Sequence, residues 1–241
     1  MTKNNERTYV LVHGAWRGSW SWKRVRRQLQ AAGHQVFTPT LTGLGERSHL
    51  ASSDINLSTH IDDIVNLIRW EELSDVILCG HSYAGCVISG VADQVGERIK
   101  ALVYLDAFLL ENGESIMDLH SAELVEDARQ QALATGDGWK LAPIPSAVFN
   151  DNLNDREWID AQSTPQPIGT FEERIRLTGQ LMSVGEIAYI AATGYSGPFA
   201  LPFSYERAKA KNWRVSTIDC GHDVMLDRPD QLTRLLLEYA R

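Results

Sequence analysis

Ser82 follows a short apolar run, residues 76–79, from which Gly80 and His81 separate it. A buried strand that stops at a glycine and turns at once into a helix places a serine at the apex of a sharp turn, the geometry of a nucleophile elbow. Such a turn is strained and needs small neighbours, which are Gly80 and Ala84 here. Ala84 stands where the usual pattern has a second glycine. The stretch predicts that Ser82 attacks a carbonyl carbon.

A nucleophilic serine needs a base within hydrogen-bond distance, because its hydroxyl is rarely ionised at neutral pH. The candidate is His222, which follows the last apolar run, residues 214–218, on a turn at Gly221. The order serine, carboxylate, histidine along the chain is the one expected for an elbow serine. A Gly-His pair alone is more often part of an ordinary loop, so this assignment depends on the elbow and on the strand order.

The carboxylate that orients the base is open between two residues. Its role is to hold the imidazole in one tautomer and to stabilise the imidazolium. The commonest place for it is the loop after the penultimate strand, residues 193–199, and that loop contains no carboxylate. Asp106 ends the strand that follows the elbow helix and is the candidate we favour, with Asp219 as the alternative. The competing interpretation of Asp106 is a solvated or helix-capping aspartate.

An oxyanion that forms during attack needs preorganised donors, usually two backbone N–H groups. The residue after the nucleophile supplies one of them, so the elbow predicts the N–H of Tyr83. A tight loop after the first strand supplies the other, and we expect the N–H of Ala15 in that role, because Gly14 allows close backbone approach. We expect the side chain of His13 to make a structural hydrogen bond in this loop.

These residues must be brought together by the elements that carry them. Apolar runs predict buried strands at residues 9–12, 35–38, 75–78, 101–105, 187–192 and 214–218. Helices are predicted at about residues 20–32, from residue 57 with Ser58 as its cap, after Ser82, at 205–212 and at 229–239. This alternation indicates an α/β fold whose mostly parallel sheet is covered on both faces. Ligands bind at the carboxyl edge of such a sheet. We expect residues 13–15, Ser82, Asp106 and His222 to meet there, because each follows a predicted strand.

The alternation is interrupted between about residues 107 and 185. This stretch holds an acidic helical segment, residues 121–133, a Gly-Asp-Gly turn and four prolines. It is too long for a simple loop in a compact domain. We predict a helical cap at about residues 107–185, inserted into a single domain that spans residues 1–241.

Composition and charge exclude several classes of function. The chain is 44% hydrophobic and 22% charged, typical of a globular enzyme, and its formal net charge of -8 argues against nucleic acid as a partner. No apolar run approaches the ~20 residues of a membrane span, and none near the polar N-terminus suits a signal peptide, so we expect a cytoplasmic protein without a membrane partner. The three cysteines, Cys79, Cys86 and Cys220, match no metal-ligand spacing, and we expect no metal and no cofactor.

Three motifs resemble those of the α/β-hydrolase superfamily: Leu11-Val12-His13-Gly14-Ala15-Trp16 with Gly18, Trp20 and Trp22, then Gly80-His81-Ser82-Tyr83, then Cys220-Gly221-His222. More narrowly, the chain resembles the branch that contains plant methyl-ester esterases and hydroxynitrile lyases. Within that branch, residues 40–47 and 104–108 resemble bacterial esterases, including those that hydrolyse the benzimidazole carbamate carbendazim. The resemblance covers nearly the whole chain and implies the α/β-hydrolase fold.

The chain differs from the families that it resembles at positions that bear on its function. Hydroxynitrile lyases of this branch have a threonine in place of Gly14 and a lysine, which stabilises leaving cyanide, in place of Asp223. These differences favour a hydrolase over a lyase. The family's usual acid after the penultimate strand is missing, whereas dehalogenase-like members carry theirs after the strand that follows the elbow helix, which matches Asp106.

The predicted function is hydrolysis of a small uncharged carboxylic ester or carbamate through an acyl-enzyme, with a benzimidazole methyl carbamate such as carbendazim as one candidate. The alternatives are cyanohydrin cleavage by a hydroxynitrile lyase-like reaction, or a non-catalytic receptor for a small ligand. Trp16, Phe108 and Trp158 are the candidate lining of an apolar or aromatic substrate pocket, although each also suits ordinary packing. We expect a monomer or a homodimer.

Overall fold

The structure is a computed structural model that describes residues 6–149, 152–197, 199 and 201–239; the first five residues of the N-terminal segment lie outside it. The described residues form eight strands: β1 (Thr8–Val12), β2 (Gln35–Phe37), β3 (Val76–His81), β4 (Ile99–Leu105), β5 (Lys140–Leu141), β6 (Gln166–Pro167), β7 (Glu186–Ala192) and β8 (Arg214–Ile218). They also form nine α-helices: α1 (Lys23–Ala31), α2 (Leu57–Trp70), α3 (Ala84–Val95), α4 (Ala122–Thr135), α5 (Arg156–Gln162), α6 (Gly169–Glu172), α7 (Pro202–Ala210), α8 (Val224–Asp227) and α9 (Pro229–Glu238). Short 3-10 segments lie at Ser19–Trp22, Gly45–Leu50, Gly96–Arg98, Met117–Leu119, Ser146–Phe149 and Gln180–Ser183.

Six strands form one parallel sheet in the order β2-β1-β3-β4-β7-β8, which confirms the predicted α/β architecture, and β5 pairs with β6 in a separate antiparallel ladder. The elbow strand is longer than predicted, because β3 continues to His81. The register pairs His81 with Leu105, so the residues that follow β3 and β4 leave the sheet side by side. Ala192 of β7 pairs in turn with Ile218 of β8, which brings the next two strand ends to the same edge.

Helices cover both faces of the sheet, and this explains why the central strands are apolar along their whole length. In β1, Tyr9 and Leu11 pack on the face covered by α1 and α9, whereas Val10 and Val12 pack on the face covered by α2 and α3. All six residues of β3 are buried. Strands buried on both faces require continuous apolar runs, which is the pattern that the sequence shows.

Helix α2 begins at Leu57, as predicted, but its cap is a different residue. Asn56, not Ser58, caps the helix: its side chain accepts a hydrogen bond from the N–H of Thr59, whose hydroxyl accepts one from the N–H of Asn56. Such a reciprocal capping box satisfies two backbone donors that the first helical turn leaves without intrahelical partners. Ser58 instead donates from its N–H and its hydroxyl to the carboxylate of Glu173.

Other helices also differ from the prediction; α7, for example, spans Pro202–Ala210 and not residues 205–212. The helix predicted at residues 20–32 is a 3-10 turn followed by α1, and it ends at Gly33 with a left-handed φ of 86°, as the glycine predicts. The short helix α8, which begins two residues after His222, was not predicted. No described helix is long and apolar enough to cross a membrane.

The segment between β4 and β7 contains α4, α5, α6 and the β5–β6 ladder. One end of it is held by Asp93 of α3, whose carboxylate accepts hydrogen bonds from the N–H groups of Thr178, Gly179 and Leu181. The acidic helix expected at 121–133 is α4, capped by Ser121. The assignment of residues 107–185 as an inserted cap, within one domain of residues 1–241, stays a prediction.

Candidate active site

Ser82 lies at the apex of the turn between β3 and α3, with a left-handed φ of 53°. Non-glycine residues rarely adopt this conformation, and it persists only where the surroundings enforce it. Here the N–H of Ser82 donates to the carbonyl of Leu105, and its own carbonyl accepts from the N–H of Phe108. The half-buried side chain of Ser82 faces a cavity.

The small residues around the elbow are required by close backbone contacts. A Cβ at Gly80 would lie 2.7 Å from the carbonyl oxygen of Ala84. A Cβ at Gly85 would lie only 2.1 Å from the carbonyl oxygen of Phe108. The departure from the usual elbow pattern is therefore tolerated, because the tightest helix–loop contact falls on Gly85, one residue after Ala84.

The structure brings Asp106, and not Asp219, to the ring of His222. Oδ2 of Asp106 lies 2.6 Å from Nδ1 of His222, and both side chains are buried. A carboxylate only accepts hydrogen bonds, so Nδ1 of His222 donates, and Nε2 is the nitrogen that has the lone pair in the neutral ring. His222 and Ser82 line the same cavity, whereas the side chain of Asp219 is exposed.

Asp106 is fixed by β7, the neighbouring strand. Its backbone has a left-handed φ of 40°, and its N–H donates to the carbonyl of Ile190 at 2.7 Å. Its Oδ1 accepts from the N–H of Ala192 at 3.1 Å. The hydroxyl of Tyr189 donates to the carbonyl of Ala107 and accepts from its N–H. The carboxylate thus reaches across the end of β7 to the histidine after β8.

Ala15 and Tyr83, the expected oxyanion donors, both line the cavity beside Ser82. The loop that carries Ala15 presses against the elbow, because a Cβ at Gly14 would lie 3.0 Å from Cβ of Ser82 and 2.8 Å from Nδ1 of His81. No described residue accepts a hydrogen bond from the N–H of Ala15 or of Tyr83.

Two buried histidines hold the surroundings of these donors. The ring of His60 donates from Nε2 to the carbonyl of Thr42 and accepts at Nδ1 from the hydroxyl of Tyr83, both at 2.9 Å. The ring of His13 accepts at Nε2 from the N–H of Leu41 and donates from Nδ1 to the carbonyl of Gly14, which is the expected structural role. Burial lowers the pKa of His60 to about 4 and that of His13 to about 3, so both rings are neutral at neutral pH.

A buried ion pair joins the loop of Ala15 to the loop of His222. Nη2 of Arg17 lies 2.8 Å from Oδ2 of Asp223, with side-chain exposures of 3% and 1%. Burial opposes ionisation of Asp223, but the Arg17 guanidinium, together with His81 and His222, outweighs it and holds the pKa of that carboxyl well below its ordinary value. His81 adds a further link by donating from Nε2 to the carbonyl of His222 at 3.0 Å. Sequence reasoning missed this pair, although opposite charges directly after two candidate site residues were a visible signal.

The cavity has a volume of about 290 Å³. Trp16 and Phe108 line it, as expected, together with Met117. Trp158 does not line it: this residue lies on α5, where Ile159 takes the buried position, and its ring packs edge-on against Trp20 at 5.0 Å. The expected place of Trp158 in the pocket is corrected accordingly.

Two aromatic walls flank the reacting residues. The oxyanion-side wall consists of Trp16, Tyr83 and Phe171, with ring centroids 5.6–5.7 Å apart between Phe171 and each of the other two. The base-side wall consists of His222, Phe149 and Phe199, with centroids 5.2 Å apart for the first pair and 6.0 Å for the second. The three phenylalanines come from separate parts of the segment between β4 and β8, and no sequence pattern places them together.

Within the described residues, no group of three or more His, Cys, Asp or Glu side chains is arranged to hold a metal ion. The three cysteines are free and buried. The arrangement of Ser82, His222 and Asp106 around an apolar cavity suits nucleophilic attack on an uncharged carbonyl compound.

Comparison with known proteins agrees with this geometry. Residues 9–235 match the Alpha/beta hydrolase family. The chain is 41% identical to the carbendazim hydrolyzing esterase of Nocardioides sp. (strain SG-4G), over 95% of this chain and 97% of that protein. It is 29% identical to methylesterase 7 of Arabidopsis thaliana, over 100% and 98% of the two chains. An extracellular alpha/beta-hydrolase from a Paenibacillus species superposes with a TM-score of 0.84 at 26% identity, covering 98% of this chain and 99% of the other.

Proposed function

The chain belongs to the alpha/beta hydrolase family, and from this premise we propose that it is a serine esterase with Ser82 as nucleophile, His222 as base and Asp106 as acid. The observation that carries the proposal is the 2.6 Å hydrogen bond between Asp106 and His222, at the cavity that Ser82 lines. It supports a histidine held in the tautomer that a serine nucleophile requires.

In the proposed reaction, Oγ of Ser82 attacks the substrate carbonyl carbon while Nε2 of His222 takes the hydroxyl proton. The carboxylate of Asp106 stabilises the imidazolium that forms. The N–H groups of Ala15 and Tyr83 bind the oxyanion of the tetrahedral intermediate. The intermediate collapses when His222 returns the proton to the leaving alcohol or amine, whose bond to the carbonyl carbon breaks.

Water completes the proposed cycle. His222 takes a proton from a water molecule that attacks the acyl carbon, and it returns this proton to Oγ of Ser82 as the acid product leaves. The free enzyme is regenerated without a metal or a redox cofactor in any step. The same scheme applies to a carbamate, which leaves a carbamoyl group on Ser82 when its alcohol departs and an alkoxycarbonyl group when its amine departs.

The substrate that we propose is a small uncharged ester or carbamate with an apolar or aromatic part. The cavity volume of about 290 Å³ and the two aromatic walls support this class. The name of the 41% identical relative, a carbendazim hydrolyzing esterase, supports an aryl carbamate in particular. The cytoplasmic location and the monomeric or homodimeric state stay predictions.

The geometry gives less support to the alternatives. A lyase threonine has no room at Gly14, where a Cβ already approaches His81 Nδ1 to 2.8 Å. Asp223 holds Arg17 in a buried ion pair, and neither residue lines the cavity. Among the described residues that line it, none is a lysine or arginine that could stabilise leaving cyanide. A non-catalytic receptor would not need the hydrogen bond between Asp106 and His222.

The test is a panel of p-nitrophenyl esters, aryl methyl esters and methyl carbamates, assayed with the wild-type chain, Ser82→Ala and the control Ser58→Ala. We expect Ser82→Ala to lose at least ~10³-fold in turnover while it unfolds at the wild-type temperature, and Ser58→Ala, an exposed position, to keep full activity. Near wild-type turnover by Ser82→Ala would refute the proposed nucleophile.

A further inference from the structure

His120 lines the same cavity as Ser82 and His222, directly after the 3-10 turn Met117–Leu119 that precedes α4. Its ring packs edge-to-face against two phenylalanines, Phe108 at 6.0 Å and Phe199 at 6.3 Å between centroids. Aromatic pairs prefer this edge-to-face arrangement, so the two contacts fix the plane of the imidazole. The ring is therefore presented to the cavity in a defined orientation.

The described residues leave the hydrogen-bonding groups of the His120 imidazole without a partner. Burial lowers its pKa, so the ring is neutral at neutral pH and has one N–H donor and one acceptor nitrogen. No described residue forms a hydrogen bond with either ring nitrogen. The other polar side chains on the α4 side of the cavity, Asp127 and Gln131, are exposed, whereas His120 is half-buried.

The contacts of His120 connect it to the base-side wall of the cavity. Phe199, which it contacts, belongs to the base-side wall, and two phenylalanine rings thus connect His120 to His222. In the proposed mechanism, the leaving group departs on the side of His222, which protonates it. A leaving group bound between His222 and the rings of Phe108 and Phe199 would contact these aromatic rings. The imidazole of His120 would then lie at the edge of the leaving group.

We propose that His120 is a substrate-binding residue that forms a hydrogen bond with a ring nitrogen or an oxygen substituent on a planar aromatic leaving group. This inference rests on the proposed function, since it assigns the chemistry of the leaving group of that esterase. The site accepts esters and carbamates of heteroaromatic alcohols or amines in preference to those of plain aryl groups. A site built to bind a polar atom discriminates against the analogue that lacks it, because its own polar group is then left unpaired.

The experiment compares phenyl acetate with pyridin-3-yl acetate, which adds one acceptor nitrogen to the leaving group. We expect His120→Phe, which keeps the aromatic packing, to lower kcat/KM for the pyridyl ester about tenfold relative to the phenyl ester, the usual size of one hydrogen bond. His120→Gln, whose amide donates and accepts, keeps most of the preference. Intrinsic reactivity of the two esters cancels, because the same pair is used with every variant.

The control is Met117→Leu, which changes the shape of the same cavity without removing a hydrogen-bonding group. We expect it to change both esters by the same factor. A purely structural role of His120 would also change both esters equally, and that result with His120→Phe, or no change at all, would overturn the inference.

Measurements of ester binding to the variant Ser82→Ala separate this inference from the proposed function. If the wild-type chain hydrolyses neither ester, the proposed function fails. The dissociation constants of both esters for Ser82→Ala, with and without His120→Phe, still decide the role of His120. Weaker binding of the pyridyl ester alone supports the hydrogen bond, and equal weakening of both contradicts it.

Discussion

The carboxyl edge of the sheet and the α4 side of the cavity are held in different ways. At the sheet edge, Ser82 and Asp106 have left-handed backbones, and the N–H of each donates a hydrogen bond to a carbonyl of the adjacent strand. On the α4 side, Leu124 and Val125 line the cavity but are only half-buried, and Ala132 is the one buried residue of the helix. The first region fixes the reacting atoms, while the second shapes the pocket with little involvement in the core.

This difference indicates where the molecule tolerates amino-acid substitutions. A substitution at the sheet edge acts on the reacting residues or on the buried charges that hold them, so it lowers activity and, where it removes a buried charge, stability as well. A substitution on α4 changes the substrate surface without loss of core packing. We therefore expect specificity to vary independently of the reaction itself.

The largest expected effect tests the sheet edge directly. Asp106→Asn removes the carboxylate that orients His222 and should lower kcat by ~10³ to 10⁴-fold, since the favoured tautomer and the stabilisation of the imidazolium are both lost. Steady-state hydrolysis of p-nitrophenyl acetate measures the change. Asp219→Asn, at an exposed position, is the control and should keep wild-type turnover. Equal loss in the two variants would remove Asp106 from the proposed role.

A second substitution tests whether the two loops at the sheet edge depend on one ion pair. Asp223→Asn removes the charge opposite the buried guanidinium of Arg17. We expect the free energy of unfolding to fall by ~3 kcal/mol or more, the usual cost of breaking a buried pair. Urea unfolding measures it, and the exposed pair Arg129–Glu172 supplies the control Glu172→Gln, for which less than ~1 kcal/mol is expected. Similar losses in both variants would contradict the account.

Acid should destabilise the sheet edge through its buried histidines. His13, His60 and His81 have pKa values lowered by burial to about 3, about 4 and about 4. The unfolded chain protonates them near pH 6.5, so their contribution is complete above that pH and is lost as the pH falls toward 4. Each histidine should lower the free energy of unfolding by ~1.4 kcal/mol per pH unit in this window.

Urea unfolding between pH 4.5 and 7.5 checks this slope. His60→Gln should reduce it by about one histidine's share, whereas His49→Gln, at an exposed position, should leave it unchanged. A wild-type slope that is unaffected by His60→Gln would exclude that ring as a source of the acid sensitivity.

The smallest expected effect lies on the α4 side. Leu124→Ala removes part of the pocket wall and should raise KM for an aromatic ester by about 3- to 10-fold, because apolar contact with the substrate is lost. We expect kcat to change less than about twofold and the unfolding free energy by less than ~1 kcal/mol. A large fall in kcat would show that α4 supports the reacting atoms, and the distinction between the two regions would fail.

The residues at the carboxyl edge of the sheet can be predicted well, because apolar strand patterns and turn glycines are local signals in the sequence. Continuous apolar runs, Gly80 before Ser82 and Gly221 before His222 are visible without any tertiary information. The pocket is different, since Phe149, Phe171 and Phe199 meet only through the fold. The prediction that Trp158 lines the pocket is wrong for the same reason, because no sequence pattern indicates which face of a short helix a tryptophan occupies.

The partner of His222 shows an intermediate case. The loop after β7 has no carboxylate, so elimination favoured Asp106, but the sequence does not reveal how a residue one strand further away reaches the histidine. The structure supplies the reason: β4 lies beside β7, whose end consists of Ala191 and Ala192, and the N–H of Ala192 supports the carboxylate.

The central claim is that Asp106 accepts the Nδ1 proton of His222, and proton NMR of the imidazole N–H tests it most directly. Short hydrogen bonds to a carboxylate move such a proton far downfield of the amide region, and the 2.6 Å distance predicts a resonance of this kind. His222→Gln assigns the signal. We predict that Asp106→Asn abolishes it and that Asp219→Asn leaves it in place. Persistence of the unshifted resonance in Asp106→Asn would contradict the account.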